Sequence, residues 1–242
     1  MPEPRSWLFV PADSEKKIAK ALQSEADAVI FDLEDSVAPS QKAAARDILK
    51  NLPKQSNGPQ WWVRVNPLGS EYHKDDLKLL GSAYVHGIVL PKAESGADVV
   101  QLAHRTGNIP IHAIVTETAA SLFGLLSYRT PGTTLAAMSW GAEDLSAALG
   151  ASSKYDASGE LSFTYKMARS LCLAGATAAG VQPVDGVFAD FRDEDGLAKE
   201  AAAARREGFT GKLAIHPAQV PVINAAFTPS ADDIAHGEYC RA

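Results

Sequence analysis

Ile109-Pro110-Ile111-His112-Ala113-Ile114-Val115-Thr116-Glu117 and Leu135-Ala136-Ala137-Met138-Ser139-Trp140-Gly141, the second running on into Ala142-Glu143-Asp144, are apolar runs that each lead to an acid. Each reads as a buried strand with a carboxylate at or just past its C-terminal end, and each is followed by a helical stretch. Parallel neighbours in a sheet lie about 4.8 Å apart. Side by side, these two strands bring Glu117 and Asp144 to one spot. Two convergent carboxylates suit a hard divalent cation such as Mg²⁺, with coordination room left for a substrate.

The same alternation runs along the chain. Strand patterns fall at 7–11, 28–33, 61–65, 87–91, 109–116, 135–140, 184–188 and 213–215. Helical patterns fall between and after them, at 14–23, 41–51, 75–80, 98–105, 119–128, 163–179, 195–207 and 219–227. The strands are apolar throughout rather than alternating, as expected for strands covered on both faces by helices. Eight strand–helix units in 242 residues predict an α/β fold, the (β/α)₈ or TIM barrel. It is expected as one domain over 1–228, with 229–242 as a short helical tail. A doubly wound open sheet is the alternative, because periodicity does not distinguish a closed sheet from an open one. The polar, Gly- and Ser-bearing stretch 151–160 is expected as a loop over the barrel mouth.

Composition narrows the function classes. With 46% hydrophobic and 21% charged residues, the chain has ample material for one large core. A formal net charge of −6 argues against a nucleic-acid partner, which calls for a basic face. No apolar run reaches the length of a membrane span, and the first residues carry no signal-peptide pattern. Two cysteines, Cys172 and Cys240, are read as reduced thiols in a cytoplasmic protein.

In a parallel barrel the chemistry gathers at the C-terminal strand ends. Those positions hold Asp32-Leu33-Glu34-Asp35, Arg64-Val65-Asn66, Pro91-Lys92-Ala93-Glu94, Glu117, Asp144 and His216, with Lys16, Lys17 and Lys20 on the first helix. Acids crowded around a few cations suit a bound Mg²⁺ and an anionic substrate. Each residue also has a plainer reading. Ser14, Asp35 and Asp144 can cap helices. Glu117 can form a structural ion pair, and Arg64 can pair with Asp32 or Glu34 at the rim. The three lysines can be a solvated helix face, and His216 a packing residue. Trp61 and Trp62 read as core and shell. Serine-hydrolase, zinc-protease, dithiol and P-loop motifs are absent from the sequence. A Schiff-base aldolase would need a neutral lysine; Lys92 is the candidate, with Glu94 expected to keep it charged.

These residues carry a family likeness. The stretches 5–11 (RSWLFVP), 27–37 (DAVIFDLEDSV), 63–66 (VRVN), 90–94 (LPKAE), 117–118 (ET), 141–145 (GAEDL) and 211–220 (GKLAIHPAQV) resemble the HpcH/HpaI aldolase–citrate lyase β-subunit superfamily, and within it the CitE-like proteins. The likeness runs in order over nearly the whole chain. It implies a usually trimeric TIM-barrel lyase that makes or breaks carbon–carbon bonds between an acyl thioester and a keto acid. By the resemblance, Glu117 and Asp144 match the Mg²⁺ ligands and Arg64 matches the residue that holds the keto acid. Lys16 and Lys20 match a basic pair near the phosphates of CoA, Lys16 standing where arginine is more usual. Asp32, Glu34 and Asp35 match acids around the metal-bound waters. The family's CoA lyases commonly continue into a C-terminal lid that carries an acid/base aspartate. That lid is expected to be missing here, Asp232 and Asp233 falling too early to match it. The expected function is a Mg²⁺-dependent lyase of a citryl-, malyl- or citramalyl-type CoA. Alternatives are a metal-dependent aldolase on a free keto acid and a keto-acid- or CoA-binding protein with little turnover.

Overall fold

A computed structural model describes residues 3–54, 57–107, 109–129 and 134–229. Eight parallel strands close into a barrel in sequence order: β1 (Ser6–Pro11), β2 (Ala28–Asp32), β3 (Gln60–Arg64), β4 (Gly87–Leu90), β5 (Ile111–Ile114), β6 (Leu135–Ser139), β7 (Gln182–Asp185) and β8 (Gly211–Ala214). The pairing of β1 with β8, Trp7 opposite Leu213, completes the ring and excludes the open sheet. Around it lie α1 (Glu15–Leu22), α2 (Lys42–Lys50), α3 (His73–Leu80), α4 (Gly96–Thr106), α5 (Ser121–Gly124), α6 (Ala142–Ala148), α7 (Phe163–Ala179), α8 (Glu194–Glu207) and α9 (Gln219–Phe227). Among the described residues, no helix is long and apolar enough to cross a membrane. The tail expected at 229–242 lies outside the described residues beyond Pro229, and Asp232, Asp233 and Cys240 lie there with it.

The apolar runs build two separate cores. Side chains alternate between the faces of a strand, so one set fills the barrel: Trp7, Ala28, Ile30, Trp62, Val89, Ile114, Ala137, Val184 and Leu213. The other set, including Leu8, Val29, Phe31, Trp61, Val63 and Ile88, packs against the helices. Trp61 and Trp62 thus serve different cores. Gly87 makes room for the larger ring inside, because a Cβ there would lie 2.2 Å from Trp62 Cζ3. His112 shares this interior, edge-on to Trp7 at 4.6 Å between ring centroids. Neither of its ring nitrogens finds a hydrogen-bond partner among the described residues. Burial pushes its pKa down to about 3, so the ring is neutral at pH 7.

Two local expectations shift. β7 runs from Gln182 to Asp185, earlier than 184–188, because Pro183 is accommodated within the strand and still accepts from Thr210 N–H at 3.1 Å. The helix expected over 119–128 is only the short α5, followed by a 3₁₀ turn (Leu125–Arg129). There Gly124 sits so close to the Glu94 carbonyl that a Cβ would be 1.9 Å from its oxygen. The stretch 151–160 is a loop, stapled by the Tyr155–Leu161 bridge. Lys154 pairs with Glu143 next to Asp144, which puts the loop beside the mouth.

Candidate active site

Strand register creates the first element of the site. Asp32 lies opposite Arg64 across β2 and β3. Asp32 follows Ala28 and Ile30 on the inward face, as Arg64 follows Trp62, so both project into the top of the barrel. The guanidinium donates to both carboxylate oxygens, Nε to Oδ1 at 2.7 Å and Nη2 to Oδ2 at 2.6 Å. It also lies 3.0 Å from Glu34 Oε2 and packs over the Phe9 ring at 4.7 Å. The rim ion pair considered from the sequence is present with both acids. Burial alone would raise the pKa of Asp32, but the Arg64 charge and its hydrogen bonds outweigh it and hold that carboxyl below the usual range. At Glu34 burial wins over Arg64 and Lys92, and the carboxyl is raised. Lys42 braces the loop that carries Glu34, donating to the carbonyls of Leu33 and Glu34 at 2.7 and 2.8 Å.

Lys92 is the second element. It follows β4 with a left-handed φ of +52°, uncommon for a residue with a side chain. From there its main-chain N–H donates to Glu117 Oε2 at 2.5 Å. Its ammonium reaches Glu34 Oε1 at 2.5 Å, and Asp35 and Asp144 each at 3.4 Å. Burial works against the charge, yet the hydrogen bond to Glu34 and the surrounding acids raise the pKa of Lys92. The neutral Schiff-base lysine is therefore disfavoured. The acids responsible are Glu34, Asp144 and Glu117 rather than Glu94, which instead accepts from the Thr118 hydroxyl at 2.8 Å.

Glu117 and Asp144 occupy neighbouring strand ends, as expected. Val115 N–H donates to the Ser139 carbonyl at 2.9 Å, which carries the β5–β6 pairing one residue past β5. Gly141 N–H donates to Thr116 Oγ1 at 3.2 Å. Gly141 is required here, since a Cβ would lie 2.9 Å from Glu117 Cγ and 3.1 Å from its Oε1. Asp144 sits in the first turn of α6 without a side-chain capping bond. Burial, with the nearby Asp144 charge adding to it, pushes the Glu117 carboxyl up to about 8 against the pull of the Lys92 N–H. The positive charge around it, Arg64 included, does not offset the burial of its ionised form, and Gly141 leaves room beside its Oε1. Both observations fit a divalent cation. Among the described residues no group of three or more His, Cys, Asp or Glu could enclose a metal. Two carboxylates with open positions match Mg²⁺, which keeps several waters or substrate oxygens.

The remaining expected residues are less central. Lys16 and Lys20 are exposed on α1 and form no ion pair among the described residues. Ser14 caps that helix, accepting from Lys17 N–H at 3.4 Å. His216 stacks on Phe191 at 4.5 Å, and its Nδ1 accepts from Ala218 N–H at 3.2 Å. Sequence reasoning missed a buried network behind the site. Lys212 bonds Asp185 and the Gly186 carbonyl, each at 2.8 Å. Asp185 also accepts from Arg169 and from the Trp140 indole, each at 2.8 Å, which fixes the start of the β6–α6 turn. A lysine in the short strand pattern around 213 was its signal.

The fold, with paired carboxylates beside a buried arginine at its strand ends, defines a class, the TIM-barrel enzymes. The chain belongs to the HpcH/HpaI aldolase/citrate lyase family, whose model matches residues 5–217. It is 40% identical to a citrate lyase subunit beta-like protein of Mycobacterium tuberculosis, over 95% of this chain and 81% of that protein. It is 37% identical to a (3S)-malyl-CoA thioesterase of Cereibacter sphaeroides, over 95% of this chain and 79% of the relative. It is 34% identical to the mitochondrial citramalyl-CoA lyase of Rattus norvegicus, over 97% of this chain and 74% of the relative. The CitE protein of Mycobacterium tuberculosis, solved in complex with magnesium, acetoacetate and coenzyme A, superposes with a TM-score of 0.86 at 37% identity. That match covers 98% of this chain and 85% of the other.

Proposed function

We propose that this chain is a Mg²⁺-dependent carbon–carbon lyase that cleaves or forms a short β-hydroxyacyl-CoA of the citryl, malyl or citramalyl type. The observation that carries the reading is the meeting of Glu117 and Asp144 around Lys92, beside the bidentate Arg64–Asp32 pair. Glu117 and Asp144 hold the cation. Bound magnesium supplies Lewis-acid polarisation of the carbonyl that is formed or attacked. Arg64 holds the keto-acid end of the substrate and sets a fixed positive charge beside the oxygen on which charge develops. Such preorganised charge is a large contributor in sites of this kind. Asp32 keeps that guanidinium from swinging, and Glu34 and Asp35 order the water around the cation. Lys16 and Lys20, exposed on the first helix, bind the phosphates of CoA.

In the cleavage direction the substrate hydroxyl gives up its proton to a base or solvent and becomes a carbonyl as the carbon–carbon bond breaks. The thioester fragment departs with that electron pair as an enolate, which then takes up a proton. The partners in this reading are a keto acid, an acyl-CoA and further copies of the chain in a homotrimer. Support for self-association is the exposed apolar surface at Phe123 and Phe163, 92% and 78% exposed. A cytoplasmic setting accords with the free Cys172 thiol.

The similarity to a malyl-CoA thioesterase favours thioester hydrolysis as the second reading. Purified protein is incubated with malyl-CoA or citramalyl-CoA, with Mg²⁺ or with EDTA, and keto acid and free thiol are followed separately. Keto acid released without thiol, and only with Mg²⁺, is the expected result. Thiol without keto acid establishes the hydrolase, and no product from either thioester overturns both readings.

A further inference from the structure

Lys92 reaches both proposed cation ligands, through different parts of the residue. The main-chain N–H holds Glu117 at 2.5 Å whatever the side chain is. The ammonium holds Glu34 at 2.5 Å and stands 3.4 Å from both Asp144 Oδ1 and Asp35 Oδ2. Its left-handed φ of +52° is a conformation that costs a non-glycine residue energy, and it is what aims the N–H and the ammonium at the same cluster.

We infer, resting on the reading of Glu117 and Asp144 as cation ligands, that Lys92 is a positioning residue whose ammonium is the built-in counter-ion of the cation site. It offsets the repulsion among Glu34, Asp35 and Asp144 before a metal arrives. A divalent cation on Asp144 stands close to that ammonium, and two positive charges at such a distance repel in a partly buried site. Loading therefore moves the ammonium off Asp144 and onto Glu34 and Asp35, which already flank it. The ammonium thus lowers metal affinity while keeping the ligands gathered. Once displaced, it adds positive charge on the side of the site where an anionic keto acid would arrive.

The test is calorimetric titration of Mg²⁺, without substrate, into wild type, K92M, K92Q and K92R. Because the main-chain bond to Glu117 persists, both neutral variants are expected to bind Mg²⁺ at least tenfold more tightly. K92R keeps the charge and is expected to stay within about threefold of wild type. With saturating Mg²⁺, oxaloacetate is expected to bind the neutral variants at least fivefold more weakly. A merely structural lysine predicts the opposite for the metal, weaker binding in every variant. Neutral variants that bind Mg²⁺ no more tightly than wild type, or that fail to fold while K92R folds, overturn the inference alone. Wild type that binds no Mg²⁺ overturns the proposed cation site and this inference together.

Discussion

Loading the site with Mg²⁺ should release a proton from Glu117. Burial holds that carboxyl near pKa 8 in the metal-free protein, far above its ordinary 4.5. A metal ligand must be ionised, so binding is linked to deprotonation. With a pKa of about 8, the carboxyl is about 0.9 protonated at pH 7, about 0.5 at pH 8 and about 0.1 at pH 9. Those fractions are the expected numbers of protons released per ion bound. The apparent affinity should fall about fivefold from pH 8 to pH 7 and about tenfold per pH unit below that, because it follows the ionised fraction of Glu117. The assay is titration calorimetry at pH 7 in several buffers of different ionisation enthalpy. The slope of observed heat against ionisation enthalpy gives the proton count directly. Glu117→Gln removes the titrating group and should abolish the slope along with most of the affinity. Tight Mg²⁺ binding with zero slope at pH 7 in wild type would refute the reasoning, since Glu117 would then already be ionised.

Two stability predictions follow from the barrel interior. Gly87→Ala drives a Cβ to within 2.2 Å of the Trp62 ring, and should cost about 3 kcal/mol, at the upper end for overpacking a core. Gly69→Ala, where the new Cβ meets nothing within 4 Å, is the control, and equal urea midpoints for the two variants would discredit the packing argument. His112 is neutral when folded, with its pKa lowered from 6.5 to about 3, so the unfolded chain takes up the extra proton between those values. Stability is then lost as pH falls below 6.5, by about 2 kcal/mol at pH 5 from this one group. His112→Leu should remove that share of the loss, visible as a smaller shift in urea midpoint between pH 7.5 and pH 5; an unchanged shift would count against it.

Elements made by neighbours along the chain were legible in the sequence. The apolar run 28–33 reads as a strand covered on both faces, and β2 spans Ala28–Asp32, one residue shorter. α7 and α9 match the periodic segments 163–179 and 219–227. The strand expected at 184–188 was displaced: β7 runs Gln182–Asp185 with Pro183 inside it. That Glu117, Asp144, Arg64 and the acids of 32–35 stand together was legible because each ends or closely follows a strand, and a closed parallel barrel gathers such ends on one face.

By itself, then, the sequence determined the period of each segment, the count of strand–helix units and the acids at their ends, since these depend on spacing along the chain. Closure of the ring was decided by the β1–β8 pairing, between segments some two hundred residues apart. Register put Asp32 opposite Arg64, and that adjacency selected one carboxylate for a bidentate bond. The left-handed turn at Lys92 placed one residue between all the acids, and Gly141 left the space in which Glu117 stands. The neutral state of His112 and the raised pKa of Glu117 also belong to the folded state alone. Burial and the charges that face a group come from residues distant in the chain, and the energy of an ionised side chain depends on those neighbours rather than on the ones beside it in sequence.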